Sequence, residues 1–312
     1  MVLRRTVQVP AGTAAPAGAG RVSARVISGD GPRPDRPVVL CCFPGGGMSA
    51  RYFELDGADM AGYLAARGYH LVLVDHPGTG GSDVPGDPWT LRPEVVADVD
   101  AAAVRGIVAG LGLTDPVLIG VGHSMGAMLT AYQQARHRLY AGVALLGYSG
   151  RGLPEVLTEA ELAVAGEPAK ARSALADLAR ARFGRPLVPA GSGVSAMLTG
   201  PEPPARIASS LGAAGADLLA LCGLTSMIPG SHADVLAAVD VPVLLGIAEH
   251  DIVGPPRAAP AYLTGAADIT LYVLSGAYHN SNAAPARTRL WDRLDAWAST
   301  VAGALPGRHL QI

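Results

Sequence analysis

The stretch Gly120-Val121-Gly122-His123-Ser124-Met125-Gly126 sets a serine between glycines two residues to either side, the pattern G-x-S-x-G. An apolar run precedes it and a helical pattern follows, so the serine falls in a sharp strand-to-helix turn that exposes its hydroxyl. Glycines at that spacing let backbone pass close to the turn. The Met125 amide then stands at a helix N-terminus, where negative charge developing on a carbonyl oxygen is stabilised. This suits nucleophilic attack on an acyl carbon. A dinucleotide-binding turn fails on register. It needs G-x-G-x-x-G, whereas glycines 120, 122 and 126 run one residue too long, after a middle strand and not the first.

A serine hydroxyl is a weak nucleophile unless a base, itself held by an acid, takes its proton. Ala248-Glu249-His250-Asp251-Ile252-Val253 follows the apolar run 241–247, and Gly276-Ala277-Tyr278-His279 follows the run 269–274. Ser124, Asp251 and His279 each come just past a strand, and strand ends on one side of a parallel sheet share one crevice. Asp251 is the expected acid, with Glu249 the alternative. The run 142–146 ends in Gly147-Tyr148-Ser149-Gly150 and offers no competing carboxylate. Phe43-Pro44-Gly45-Gly46-Gly47-Met48 follows another strand, and its glycines let a backbone amide face a ligand oxygen. Gly46 is the expected second oxyanion donor beside Met125, with Gly45 and Gly47 close behind. Met48, Met125, Met128 and Met227 fit either an adaptable apolar pocket lining or ordinary core packing. Gly45, Gly47, Met48, Leu153 and Met227 are the expected substrate contacts. His123 and His250 are read as packing or loop-bonding neighbours of the site. His70, His76, His137, His232 and His309 lack the paired spacing of a metal site, so no metal is expected.

Those residues need a frame. Short apolar or β-branched runs lie at 3–9, 21–27, 38–43, 70–75, 117–121, 142–146, 241–247 and 269–274. From 38 onward they are almost wholly apolar, as parallel strands buried on both faces are. Helical spacing relates Val96, Val99, Ala103, Ile107 and Leu111, and again Leu290, Leu294, Trp297 and Val301. Residues 10–20 read as a loop between antiparallel edge strands. The alternation predicts an α/β fold on a mostly parallel eight-stranded sheet. It stops between 150 and about 240, where no strand is expected. Leu175, Leu178 and Phe183 fit one helix there and Leu218, Leu219 and Leu221 another, with breaks at Gly166, Gly184, Gly191 and Pro201–Pro204. So long a segment is expected to be structured, as a helical cap over 150–235 inserted in a core of 1–149 and 236–312.

The 312 residues are 49% hydrophobic and 16% charged, with formal charge −2, which excludes a disordered chain and gives no basic patch for nucleic acid or an anionic membrane. Lys170 is the only lysine and is not in a Gly-Lys-Ser/Thr motif, so P-loop chemistry is excluded and a lysine Schiff base disfavoured. Arginine in its place is the habit of GC-rich bacterial coding. Cys41, Cys42 and Cys222 form no Cys-x-x-Cys and read as buried reduced thiols. No apolar stretch reaches membrane-spanning length and the N-terminus carries no secretory pattern, so a cytoplasmic protein is expected.

Asp75-His76-Pro77-Gly78-Thr79-Gly80-Gly81-Ser82 resembles the D-x-x-G-x-G-x-S turn of α/β-hydrolase-fold proteins, and G-H-S-M-G, E-H-D-I-V and G-A-Y-H resemble their remaining motifs. The chain departs from many members in having Pro44-Gly45 in place of His-Gly. The resemblance implies a cap-bearing serine hydrolase acting on a small apolar ester, thioester or lactone, with no cofactor. A serine nucleophile, where some members use aspartate, speaks against epoxide hydrolase or haloalkane dehalogenase chemistry. Two alternatives stay open: acyl transfer or thioesterase work, cyclising included, on a chain borne by a carrier protein, and a ligand receptor on the same scaffold.

Overall fold

The structure is a computed structural model describing residues 2–29, 31, 36–189, 191, 196–200 and 203–304; Pro201 and His309 lie outside the described residues. The strands are β1 (Leu3–Pro10), β2 (Arg21–Ser28), β3 (Val38–Phe43), β4 (His70–Val74), β5 (Val117–His123), β6 (Gly142–Leu146), β7 (Leu187–Val188), β8 (Leu218–Leu219), β9 (Pro242–His250) and β10 (Asp268–Tyr278). The α-helices are α1 (Met60–Ala65), α2 (Pro93–Ala109), α3 (Met125–His137), α4 (Glu159–Leu162), α5 (Pro168–Phe183), α6 (Ala196–Thr199), α7 (Ala205–Ala213), α8 (Ala220–Met227), α9 (Ala233–Ala237) and α10 (Arg287–Ala304).

Eight strands make one sheet in the order β1-β2-β4-β3-β5-β6-β9-β10, antiparallel at β1/β2 and β2/β4 and parallel across the rest. Every residue of β3, β4 and β6 is buried, because helices cover both faces of the parallel part. The two faces have separate apolar cores. Along β3, Val38, Leu40 and Cys42 enter one, and Val39, Cys41 and Phe43 the other. Cys41, Cys42 and Cys222 are all buried and unpaired. α10 buries Leu290, Leu294, Trp297 and Val301 on one face, and α2 buries Val96, Val99, Ala103 and Ile107 on the other. Leu111 falls just beyond the end of α2 and only borders its core.

The turn after β4 is held by Asp75. Its carboxylate accepts from Ala50 N at 2.7 Å and Gly81 N at 3.0 Å, and the Ser82 hydroxyl donates to its carbonyl at 2.8 Å. Gly80 has φ of +55° and no space for a Cβ against that carboxylate, which accounts for the glycine.

Between β6 and β9 the chain is mainly helical and has an apolar cluster of its own, centred on Val164, Leu175, Leu221, Leu224 and Ile228. A Thr158–Glu161 capping box starts α4. Two expectations are corrected here. The segment contains a strand pair, β7 with β8, and Leu218 and Leu219 belong to it and not to a helix. Leu219 is buried in the sheet's core, while half-buried Leu218 borders that core and lies against Gly46 and Gly223; α8 begins only at Ala220.

Candidate active site

Ser124 stands between the end of β5 and the start of α3 with φ of +54° and ψ of −123°. A serine there carries strain of about 1–3 kcal/mol, which the surrounding structure holds in place. A Cβ on Gly122 would run into Ala127 and Gly126, and one on Gly126 into the carbonyls of Phe43 and Pro44. The glycines of the pentapeptide are thus imposed by contact with α3 and with the end of β3.

The structure brings Ser124, His279 and Asp251 together. His279 Nε2 lies 3.0 Å from Ser124 Oγ, and His279 Nδ1 lies 2.7 Å from Asp251 Oδ1. The Asp251 side chain is fully buried and also accepts from Ala248 N and Val253 N. Burial works to raise its pKa, but the hydrogen bond and charge of His279 outweigh that and hold the carboxyl below its ordinary range. The strands reach further than the apolar runs suggest: β9 continues to His250 and β10 to Tyr278, pairing at that last position, so Asp251 and His279 each directly follow a strand. Gly147, after β6, has φ of +56°, and a Cβ there would crowd the rings of His123 and His279. Ser149 Oγ donates to Val253 O at 2.7 Å, tying the Asp251 loop to the end of β6.

Glu249 lies elsewhere. It is exposed at the end of β9, accepting from Ser275 Oγ and Gly276 N at 2.8 Å each. His250 is exposed and rests on the Tyr278 ring. His123 is buried between Tyr52 and His279, with its Nε2 3.0 Å from the His279 carbonyl oxygen.

A cavity of about 410 Å³ opens on Ser124. Gly45, Gly46, Gly47, Met48, Met125, Leu153 and Met227 all line it. Gly46 and Met125 both border it, and neither backbone amide donates to a protein acceptor among the described residues. Met128 is wholly buried in the core away from it. Sequence reading did not anticipate Leu198, Leu218, Ile252 and Asn280 in the lining. Only the doubled leucine at 218–219 carried a signal, and its strand periodicity becomes evident once β7 is in place. Among the described residues no cluster of three His, Cys, Asp or Glu side chains could hold a metal, and no helix is long and apolar enough to cross a membrane.

Two buried histidines make stability depend on pH. Burial, with help from the His279 charge, pushes His123 down to about 3, and burial pushes His232 down to about 4. Both take up a proton near 6.5 once unfolded, so between pH 6.5 and about 4 the unfolded chain binds more protons and stability falls with pH. Each group removes up to about 1.4 kcal/mol per pH unit in that window. The melting temperature should therefore drop steeply from pH 7 to 5, and less so in His232→Phe. Equal slopes in the two proteins would show that His232 is not the cause.

The sequence model of the alpha/beta hydrolase family matches residues 38–303. No curated protein resembles the chain closely enough to count as a relative. Among solved structures, a lipase in its open form superposes with a TM-score of 0.67 at 18% identity, covering 96% of this chain and 99% of the other. An esterase of Thermogutta terrifontis gives 0.60 at 20% identity, with 95% and 99% covered. Proline iminopeptidase of Mycobacterium smegmatis gives 0.62 at 18%, with 96% and 99%.

Proposed function

The chain belongs to the alpha/beta hydrolase family, and from that premise we propose that it is a serine hydrolase cleaving a carboxylic ester, thioester or lactone with an apolar acyl group. The observation that carries this reading is the continuous hydrogen-bonded line from Asp251 through His279 to a serine held at positive φ. His279 Nε2 takes the Ser124 proton as Oγ bonds to the carbonyl carbon. The oxyanion so formed is met by the Met125 and Gly46 amides. The carbon–heteroatom bond then breaks, the leaving group takes the proton from His279, and an acyl group remains on Oγ. Water, deprotonated by His279, releases the acid and restores the serine. Asp251 fixes the imidazole tautomer and stabilises its cation.

The cavity supports a neutral substrate. Apart from His123 and His279, none of its described lining residues carries an ionisable side chain. The α-ammonium of a peptide substrate would find no carboxylate there, and desolvating it unpaired is costly. The three unpaired cysteines suit a reducing, cytoplasmic setting.

Residues 150–235 act as a cap in this reading, since Leu153, Leu198, Leu218 and Met227 complete the cavity over Ser124. The test is a panel of p-nitrophenyl esters of increasing chain length, acyl thioesters and lactones. Turnover of neutral apolar members is expected; release of a single equivalent would mark a receptor, and diversion of product to an added alcohol or thiol would mark an acyltransferase. In the same panel, Leu218→Ala and Met227→Ala should move the preference toward longer acyl chains by about tenfold in relative kcat/KM. A uniform loss across all chain lengths would remove the cap from specificity.

A further inference from the structure

Behind the glycine loop lies a buried acid–base pair that the proposed mechanism does not use. His76 Nδ1 is 2.6 Å from Asp100 Oδ2, both residues are fully buried, and His76 Nε2 is 3.1 Å from the carbonyl oxygen of Pro44. We propose that His76, backed by Asp100, is a positioning residue that holds the oxyanion loop by the Pro44 carbonyl. This rests on the reading of Gly46 as an oxyanion donor.

A carbonyl oxygen can only accept, so Nε2 carries a proton whether the pair is ionic or shares its other proton as a neutral couple. The donor to Pro44 is therefore constant. Bulk stability alone is a weak reason for such a pair, because buried ion pairs are often replaced by apolar residues without loss. Asp100 Oδ1 moreover has no partner among the described residues, a cost that calls for a compensating role.

The loop has a specific need for such a hold. Gly45, Gly46 and Gly47 leave the backbone free where an amide must be aimed. Downstream, Met48 N donates to Gly45 O at 3.2 Å and Ala216 N to Gly47 O at 2.9 Å. Upstream, Pro44 has no N–H, so the carbonyl is the one backbone group this residue offers to a hydrogen-bonding partner. Gly126 presses on that carbonyl from the α3 side, and His76 meets it as a donor while its ring stacks on Phe43 at 6.0 Å and 19°.

His76→Phe keeps a flat ring against Phe43 and removes the donor, whereas His76→Gln restores an amide donor. On the best ester of the panel, His76→Phe should lower kcat about 10- to 100-fold with KM within about twofold, because an aimed donor acts mainly on the transition state. Affinity for a trifluoromethyl ketone should fall by the same factor, and His76→Gln should recover part of both. Asp100→Leu should resemble His76→Phe, and Asp100→Asn, whose amide keeps the proton on Nε2, should lose markedly less. Hydrogen exchange at the amides of 45–48 should quicken in His76→Phe. A folded His76→Phe with unchanged kcat, ketone affinity and exchange overturns the proposal. So does a loss that His76→Gln fails to relieve, and if His76→Phe does not fold, the contrast of Asp100→Asn with Asp100→Leu decides. If the wild-type protein turns over no ester, the functional reading falls, and the exchange rates still show whether the pair holds the loop.

Discussion

Ser124→Ala is expected to lower kcat by roughly 10⁴-fold or more on any ester the protein accepts, with the fold intact. The alanine keeps a Cβ at φ of +54°, so the backbone strain and the close approach of that Cβ to Gly45 are unchanged. Only the bond to His279 Nε2 is lost, and a half-buried turn tolerates that at about 1 kcal/mol. The Met125 and Gly46 amides remain, so rate above the uncatalysed reaction should persist. Steady-state kinetics beside a thermal melt check both halves. Substantial turnover in a folded Ser124→Ala protein would remove Ser124 from the chemistry.

Asp251→Asn comes next, at about 10²-fold or more in kcat, against less than about tenfold for Glu249→Gln. An asparagine amide facing Nδ1 donates to it and drives the ring proton onto Nε2, where it can no longer accept from Ser124. Geometry separates the two carboxylates. Asp251 is buried 2.7 Å from the imidazole, while Glu249 is exposed and engaged by Ser275 and Gly276. Glutamine at 249 keeps an acceptor for both donors, so the β9–β10 turn should hold. A crippled Glu249→Gln beside an active Asp251→Asn would reverse the assignment.

The parts of the site legible in the sequence were those fixed by local covalent geometry. Gly122, Ser124 and Gly126 report a turn whose contacts lie within a few residues or against one strand end, and buried strands such as β3 announce themselves as apolar runs. The acid had two readings because Glu249 and Asp251 both follow an apolar run, and only the extension of β9 to His250 puts them on different sides of the strand end. His76 and Asp100 were not legible as a pair. They are 24 residues apart, and Asp100 enters the core through the register of α2, one position past Val99 in a buried stripe. A carboxylate in that stripe was the only available signal. The roof of the cavity was hidden for a similar reason: β8 pairs with β7 about 30 residues before it, and Leu218 meets Gly46 and Ala216 bonds to Gly47 across about 170 residues.

In the proposed mechanism Ser124 Oγ forms the covalent bond to substrate. The most direct measurement is the mass of the intact protein after reaction with a fluorophosphonate, followed by mapping of the modified peptide. One phosphonyl group per chain, on the peptide containing Ser124 and absent from Ser124→Ala, is the predicted result. A label on another residue, or equal labelling of Ser124→Ala, would contradict it.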